Sequence, residues 1–167
     1  IGIQSFNTKV RQMVGRLDTK ETVLERLAAL KAYGQCSVVI DLIYGLPGQT
    51  MEVWEQDLAD LVSSGVDGAD LYQLNVFDGS DLNKDIAKGK VPAAATTAMQ
   101  GDMFKFGRKY LDERSYRRLS AAHWSANNRE RSLYNILAKA GVPMFPFGSG
   151  AGGNVDGYGM MLHRALK

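Results

Sequence analysis

Residues 37–50, SVVIDLIYGLPGQT, decide how the chain is read. From Ser37 to Gly45 the run is almost continuously aliphatic instead of alternating, the pattern of a strand buried on both faces of a parallel sheet. Gly45, Pro47 and Gly48 then turn the backbone, and Thr50 stands where it can cap a helix with Glu52 in its first turn. Behind that cap Val53, Trp54, Leu58, Leu61 and Val62 recur at helical spacing, and ADLYQLNVF (69–77) returns as a strand.

The same alternation extends upstream. IGIQSF (1–6) is a short apolar run, and Val10, Met13 and Val14 follow it at helical spacing. Asp18 with Glu21 three residues later reads as a capping box for a helix over about 19–33, with Val23, Leu24, Leu27 and Leu30 on one face and Gly34 beyond its end. Strand, helix, strand, helix, strand with short connections is the repeating unit of α/β folds, so a parallel sheet or barrel is expected. Past Asp78 the alternation loosens. VPAAATTAMQ (91–100) is a small-residue connector into a helix over about 97–113, with Met99, Met103, Phe106, Tyr110 and Leu111 inward. YRRLSAAHW (116–124) contains a strand, RSLYNILAKAG a short helix ending at Gly141, and Phe145 to Met161 a glycine-rich loop.

Composition bounds the function. The 167 residues are 45% hydrophobic, enough for one sizeable core. Twenty basic against 18 acidic residues, scattered in short mixed runs, give no block of one sign, so no nucleic-acid partner is expected. The one cysteine, Cys36, excludes an internal disulfide framework and any cluster held by cysteines of this chain alone, and a reducing, cytoplasmic setting is expected. No apolar run reaches the roughly 20 residues that span a bilayer, and no signal peptide is read. Ile1 stands in what reads as mid-strand, so a longer parent protein is expected.

Several residues stand where chemistry is placed in such folds. Ligands bind at the C-terminal ends of parallel strands, and Asp41 lies in the later half of one. A carboxylate among aliphatics is either satisfied by a loop amide or an arginine, or turned toward a ligand. Gln4, Gln73 and Asn75 sit at matching strand ends, where amides either orient a ligand or cap the strand. Arg16 follows a glycine and is either a surface residue or a carboxylate clamp. GSGAGG (148–153) lacks both GxGxxG before a helix and GxxxxGK[ST], so it is a weak nucleotide fingerprint. His123 and His163 have no ligand at metal spacing, and no metal site is expected; His123, at the end of a strand, is the candidate proton donor or ligand contact.

IGIQSFNTKVRQMVGR (1–16) and IDLIYGLPGQT (40–50) together resemble the second half of the radical S-adenosylmethionine (SAM) core of the oxygen-independent coproporphyrinogen III oxidase family. LYQLNVF, AHWSANNRERSLYN and GSGAGGNVDGYGMM further resemble its branch of anaerobic haem-degrading radical SAM methyltransferases. The resemblance implies strand four onward of a (β/α)6 partial TIM barrel plus a C-terminal α/β extension, divided as core 1–77 and substrate-side elements 78–167. It implies SAM cleavage at a [4Fe-4S] cluster, a second SAM as methyl source, haem ring opening with release of iron, and an electron donor of flavodoxin type. Carried over residue by residue, it puts SAM contacts at Gln4, Arg16, Asp41 and Ile43, with Asn75 differing in residue type from its counterpart. The family's three-cysteine motif is not in this chain. Coproporphyrinogen decarboxylation and haem binding without turnover are the alternatives. For a porphyrin, Trp124, Phe145, Phe147, Tyr158 and Met160 are candidate walls, and Arg129, Arg131 and His123 candidate donors.

Overall fold

The computed structural model describes residues 1–165. By packing the chain separates after Glu130 into two compact units. In the first, three strands run parallel in chain order, β1 (Gly2–Gln4), β2 (Val39–Tyr44) and β3 (Gly68–Gln73). Helices α1 (Thr8–Met13) and α2 (Lys20–Tyr33) join β1 to β2, and α3 (Met51–Ser64) joins β2 to β3. After α4 (Asp81–Ala87) and α5 (Thr97–Asp112), the short strands β4 (Arg117–Arg118) and β5 (His123–Ser125) extend the sheet antiparallel, giving the order β1-β2-β3-β5-β4. The expected α/β class is the observed one.

The helices cover one face of this sheet. Ile40, Leu42 and Tyr44 of β2, Ala69 and Leu71 of β3, and Trp124 of β5 share a core with Val23 and Leu27 of α2, Trp54, Leu58 and Leu61 of α3, and Met103 and Leu111 of α5. Trp54 is its centre: the indole is fully buried, donates to the Met103 carbonyl at 2.8 Å, and lies 5.8 Å from the Tyr44 ring. A Cβ at Gly107 would stand 3.1 Å from the indole, so only glycine lets α5 approach so closely.

Burial of β2 alternates, Asp41 and Ile43 being half-buried between fully buried neighbours. The continuous aliphatic run of the sequence therefore does not mean cover on both faces: the second face carries Asp41, Ile43, Asp70 and Tyr72. Helix limits agree with the periodicity to within a residue or two, but Thr19, not Asp18, caps α2 by accepting from the Thr22 amide, while Asp18 pairs with Arg26. Leu30 is 44% exposed on the outer side of that helix. Thr50 caps α3 as the sequence indicates.

The second unit, from Arg131, contains α6 (Leu133–Lys139) and a hairpin of β6 (Gly152–Val155) and β7 (Tyr158–Met161). The segment read as a glycine-rich loop is thus partly strand. Asp156 and Gly157 both have positive φ, 50° and 80°, as a two-residue hairpin turn of the inverted type requires, and the Asp-Gly pair was the signal for it.

Two buried ionisable residues lock the carboxyl ends of β1 and β2 together. Asp57 of α3, 1% exposed, accepts from Ser5 Oγ with both oxygens (2.9 and 2.8 Å), from the Phe6 amide (2.7 Å) and from Gln49 Nε2 (3.0 Å). Gln49 in turn accepts the Gly45 and Leu46 amides at 2.8 and 3.1 Å and donates to the Ile43 carbonyl at 3.2 Å. From the other side the Arg11 guanidinium, 4% exposed, donates to the carbonyls of Ile3, Ser5 and Asp18.

Burial raises the Asp57 carboxyl to about 6, against the pull of its donors. Because the folded value lies above the unfolded one, the folded chain holds this proton longer, and stability falls as pH rises from about 4 to about 6. This single group contributes a fall of at most about 3 kcal/mol. Urea denaturation across that window is expected to show a smaller pH slope in Asp57→Asn than in wild type, with the variant less stable at pH 7 because the amide cannot accept from all the same donors.

Candidate functional site

Gln4 ends β1 in a conformation that a side chain rarely adopts, φ +71°. Its neighbours hold it there: Arg11 donates to the carbonyls on both sides, and Ser5 and Phe6 are tied to Asp57. The same kink breaks the β1–β2 register between Gly2 and Gln4. Strain of this kind costs on the order of 1–3 kcal/mol and persists where surrounding structure enforces it.

The consequence is a polar group aimed away from the protein's own partners. Gln4 Oε1 is buried and accepts no hydrogen bond. A Cβ at Gly2 would stand 2.6 Å from Gln4 Nε2 and 3.3 Å from Arg16 Nη2, so the two side chains converge over a glycine. The Arg16 guanidinium, exposed after Gly15, has no hydrogen-bond or ion-pair partner among the described residues. Gln4, Arg16 and Ile43 line one cavity of about 520 Å³ together with the apolar Met13, Leu46, Leu74 and Leu82 and the carboxylates Asp81 and Asp85. Asp41 and Asn75 are not among its lining residues; Asn75 is exposed just beyond β3.

Asp41 instead opens a row across the second sheet face. It pairs with Gly2 on one side and Asp70 on the other, and Asp70 pairs with His123. His123 is buried. Its Nδ1 lies 2.9 Å from Asp70 Oδ1, and its Nε2 is 3.3 Å from Glu130 Oε1, near enough for charge pairing but without hydrogen-bond alignment. Burial raises the Asp70 carboxyl, opposed by His123 and reinforced by Asp41. Burial also raises the Tyr72 hydroxyl, and the charges of Asp70 and Asp41 add to it. Sequence reading singled out Asp41 and His123 but missed Asp70, Tyr72 and Glu130. The two-residue alternation from Asp41 along β2 could have marked their face, though not the antiparallel arrival of β5.

Some porphyrin contacts read from the sequence are displaced by the structure. Trp124 is fully buried in the helix-covered core and forms no wall. Arg129 donates to the carbonyls of Gly34 and Cys36 at 2.9 and 3.0 Å and stands 3.7 Å from Asp67, at the amino ends of the strands. Phe145, Phe147, Tyr158 and Met160 are exposed in the second unit.

The residues present fit one of the two implied groups. SAM offers a carboxylate, an ammonium, hydroxyls and an adenine edge; an unpartnered guanidinium, an unpartnered buried amide oxygen, the lining carboxylates Asp81 and Asp85 and the apolar part of the wall suit them. A [4Fe-4S] cluster needs several thiolates, whereas Cys36 is a lone exposed residue and no group of three candidate ligands is found among the described residues. No helix of the described residues is long and apolar enough to cross a membrane.

No family model matches the chain. It is 40% identical over all 167 residues to anaerobilin synthase of Escherichia coli O157:H7, of which it covers 37%. It is 28% identical over 159 residues, 94% of the chain, to the heme chaperone HemW of Lactococcus lactis, of which it covers 41%. The chain thus spans well under half the length of these curated relatives. Among solved structures it matches the radical SAM coproporphyrinogen III oxidase of Escherichia coli with a TM-score of 0.76 at 20% identity, over 98% of this chain and 40% of that one. That likeness gives the fold, the later part of a radical SAM partial barrel with its extension. Taken with the identity over the full chain, it makes the chain similar along its whole length to coproporphyrinogen oxidase-like radical SAM proteins.

Proposed function

We propose that the chain forms the SAM-contacting second half of the core, residues 1–77, and the substrate-side extension, residues 78–167, of a radical SAM C-methyltransferase that opens the haem ring without oxygen and releases the iron. The observation that carries this reading is 40% identity along the entire chain to anaerobilin synthase. The convergence of Gln4, Arg16 and Ile43 on one cavity supports it.

In this reading Arg16 holds the methionyl carboxylate bidentately, Gln4 meets a polar edge of the ligand with its free oxygen, and Ile43 supplies an apolar wall. Asp41 and Asn75 do not line that cavity, and their place in this reading comes from the resemblance, which gives Asp41 the ribose hydroxyls or the cationic centre. When bound, SAM would supply a methyl group or a carbon radical, and a [4Fe-4S] cluster would need thiolates beyond the single Cys36. What this chain contributes is binding, orientation and proton management. His123 is a candidate catalytic residue of the substrate side, haem the substrate, and a cytoplasmic flavodoxin-type protein the electron donor.

The similarity to a heme chaperone over 94% of the chain favours one second reading, haem binding without turnover. Incubating the complete protein anaerobically with haem, SAM and a low-potential reductant separates the two. Loss of the haem Soret band, with a linear methylated tetrapyrrole and free iron formed, is expected. Haem that stays bound and intact would favour the chaperone reading, and coproporphyrinogen consumed instead would favour decarboxylation.

The site itself is tested by affinity. Arg16→Ala and Gln4→Ala in the complete protein are each expected to weaken SAM binding by about 10-fold or more in calorimetric titration, since each removes a hydrogen bond to a charged or buried polar group. Unchanged affinity in both would remove these residues from the site.

A further inference from the structure

The wall of the candidate cavity has a charge pattern that the arginine and the amide alone do not explain. Its lining residues carry one cation, Arg16, and two carboxylates, Asp81 and Asp85, among Gln4 and apolar side chains. Asp81 and Asp85 stand four residues apart on α4 and therefore share one face of that helix, and Leu82 joins them in the wall. Their lysine partners are Lys84, 3.6 Å from Asp81, and Lys90, 3.1 Å from Asp85. Both lysines are more than half exposed and neither lines the cavity. Exposed pairs of this kind are weak and give way to a competing cation.

We propose that Asp85, with Asp81 one turn before it, makes this cavity selective for a sulfonium. It holds SAM and rejects S-adenosylhomocysteine, the neutral thioether that remains once the methyl group has left. The inference rests on SAM occupying the cavity, as the proposed function has it. Asp85 and Asp81 are specificity-determining residues, and no bond forms or breaks on them.

The charges match one for one. SAM carries one anion, its carboxylate, and two cations, its ammonium and its sulfonium, whereas the thioether lacks the second cation. Arg16 answers the anion and the two aspartates answer the cations. A sulfonium has no N–H or O–H to donate, so a protein recognises it by charge, and a carboxylate set in an apolar wall supplies that charge. The neighbouring Met13, Leu46, Leu74 and Leu82 keep the surroundings less polar than open water, which strengthens the attraction.

Helix stability does not account for Asp85. Asp81 opens α4, where the field of the backbone favours a carboxylate, and Ser80 caps the helix beside it. Asp85 stands in the last turn, where the same field disfavours a carboxylate, and no residue of α4 is buried, so packing does not set its identity either. Its side chain is 41% exposed against 100% for Asp81, which makes Asp85 the more enclosed of the two and the principal contact. Two features besides the aspartates point to a ligand in this cavity: Gln4 Oε1 is buried without a partner, and the Arg16 guanidinium has none among the described residues.

The test titrates SAM and S-adenosylhomocysteine by calorimetry into the complete protein and into its Asp85→Asn, Asp81→Asn and doubly substituted variants, reading the binding event that Arg16→Ala weakens. Wild type is expected to bind SAM about 10-fold or more tightly than the thioether. Asp85→Asn is expected to weaken SAM about 5-fold or more and the thioether by less than about 2-fold, and the double variant to bring the two affinities within about 2-fold of each other. The retained affinity for the thioether shows that the site is folded. Because the preference is charge on charge, added salt should narrow it in wild type and leave the double variant unmoved. A ratio of affinities that the double variant keeps at the wild-type value overturns the inference, whether both affinities fall together or neither moves. If Arg16→Ala, Gln4→Ala and Asp85→Asn all leave SAM binding untouched, the cavity reading itself fails and takes the inference with it; a loss in Arg16→Ala with an unchanged ratio strikes the inference alone.

Discussion

The rest of the structure depends on one buried carboxylate. Asp57 gathers Ser5, Phe6 and Gln49, and through Gln49 it also fixes the Ile43 carbonyl and the amides of Gly45 and Leu46. Two strand ends that are 40 residues apart in sequence thereby become one rigid rim. Arg11 completes the lock from the side of β1. Every hydrogen bond to Asp57 lies in a core region where an unmade bond costs about 1–3 kcal/mol, so the network is held together as a unit. Its product is local and specific: Gln4 is pinned in a left-handed conformation with its amide oxygen free.

That arrangement explains how a fold with apolar strands can present polar chemistry. The helix-covered face of the sheet carries the hydrophobic load, centred on Trp54, and leaves the other face to be polar. Stability and function are thus assigned to alternate residues of the same strand. In β2, Ile40 and Leu42 serve the core while Asp41 and Ile43 lie half-buried on the second face. The same division runs through β3, with Leu71 inward and Asp70 and Tyr72 outward.

Much of this is legible in the sequence, and the failures have identifiable causes. The strand–helix alternation from Ile1 to Phe77 follows from periodicity and caps, which are local. Thr50 capping α3 and Gly34 ending α2 are examples. Asp57 and Arg11 are not legible, because each lies on a helix among other charged residues, and only the arrival of a distant loop reveals it as buried. Trp124 and Arg129 mislead for the same reason: their partners Ala69 across the sheet and Gly34 come from more than 50 residues away. The expected pair of covered faces on β2 fails because an aliphatic side chain such as Ile43 can also line an open cavity. The candidate contacts Gln4, Arg16 and Asp41 entered through resemblance, and their residue types alone left a structural role equally open.

The comparison with relatives sharpens what the geometry can mean. Similarity to an anaerobilin synthase and to a heme chaperone is what the proposed function rests on, and the two names differ in whether the ligand is turned over. In the proposed function the substrate side is the second sheet face, with the row Asp41, Asp70, His123, and the cofactor side is the Gln4 rim. The measurement that tests the central claim most directly is a crystal structure of the complete protein with SAM bound. The expected result is a SAM molecule against the Gln4 rim, its carboxylate on Arg16 and a ligand atom hydrogen-bonded to Gln4 Oε1. A fully occupied set of SAM sites elsewhere, with Gln4 Oε1 still unpartnered, would contradict it.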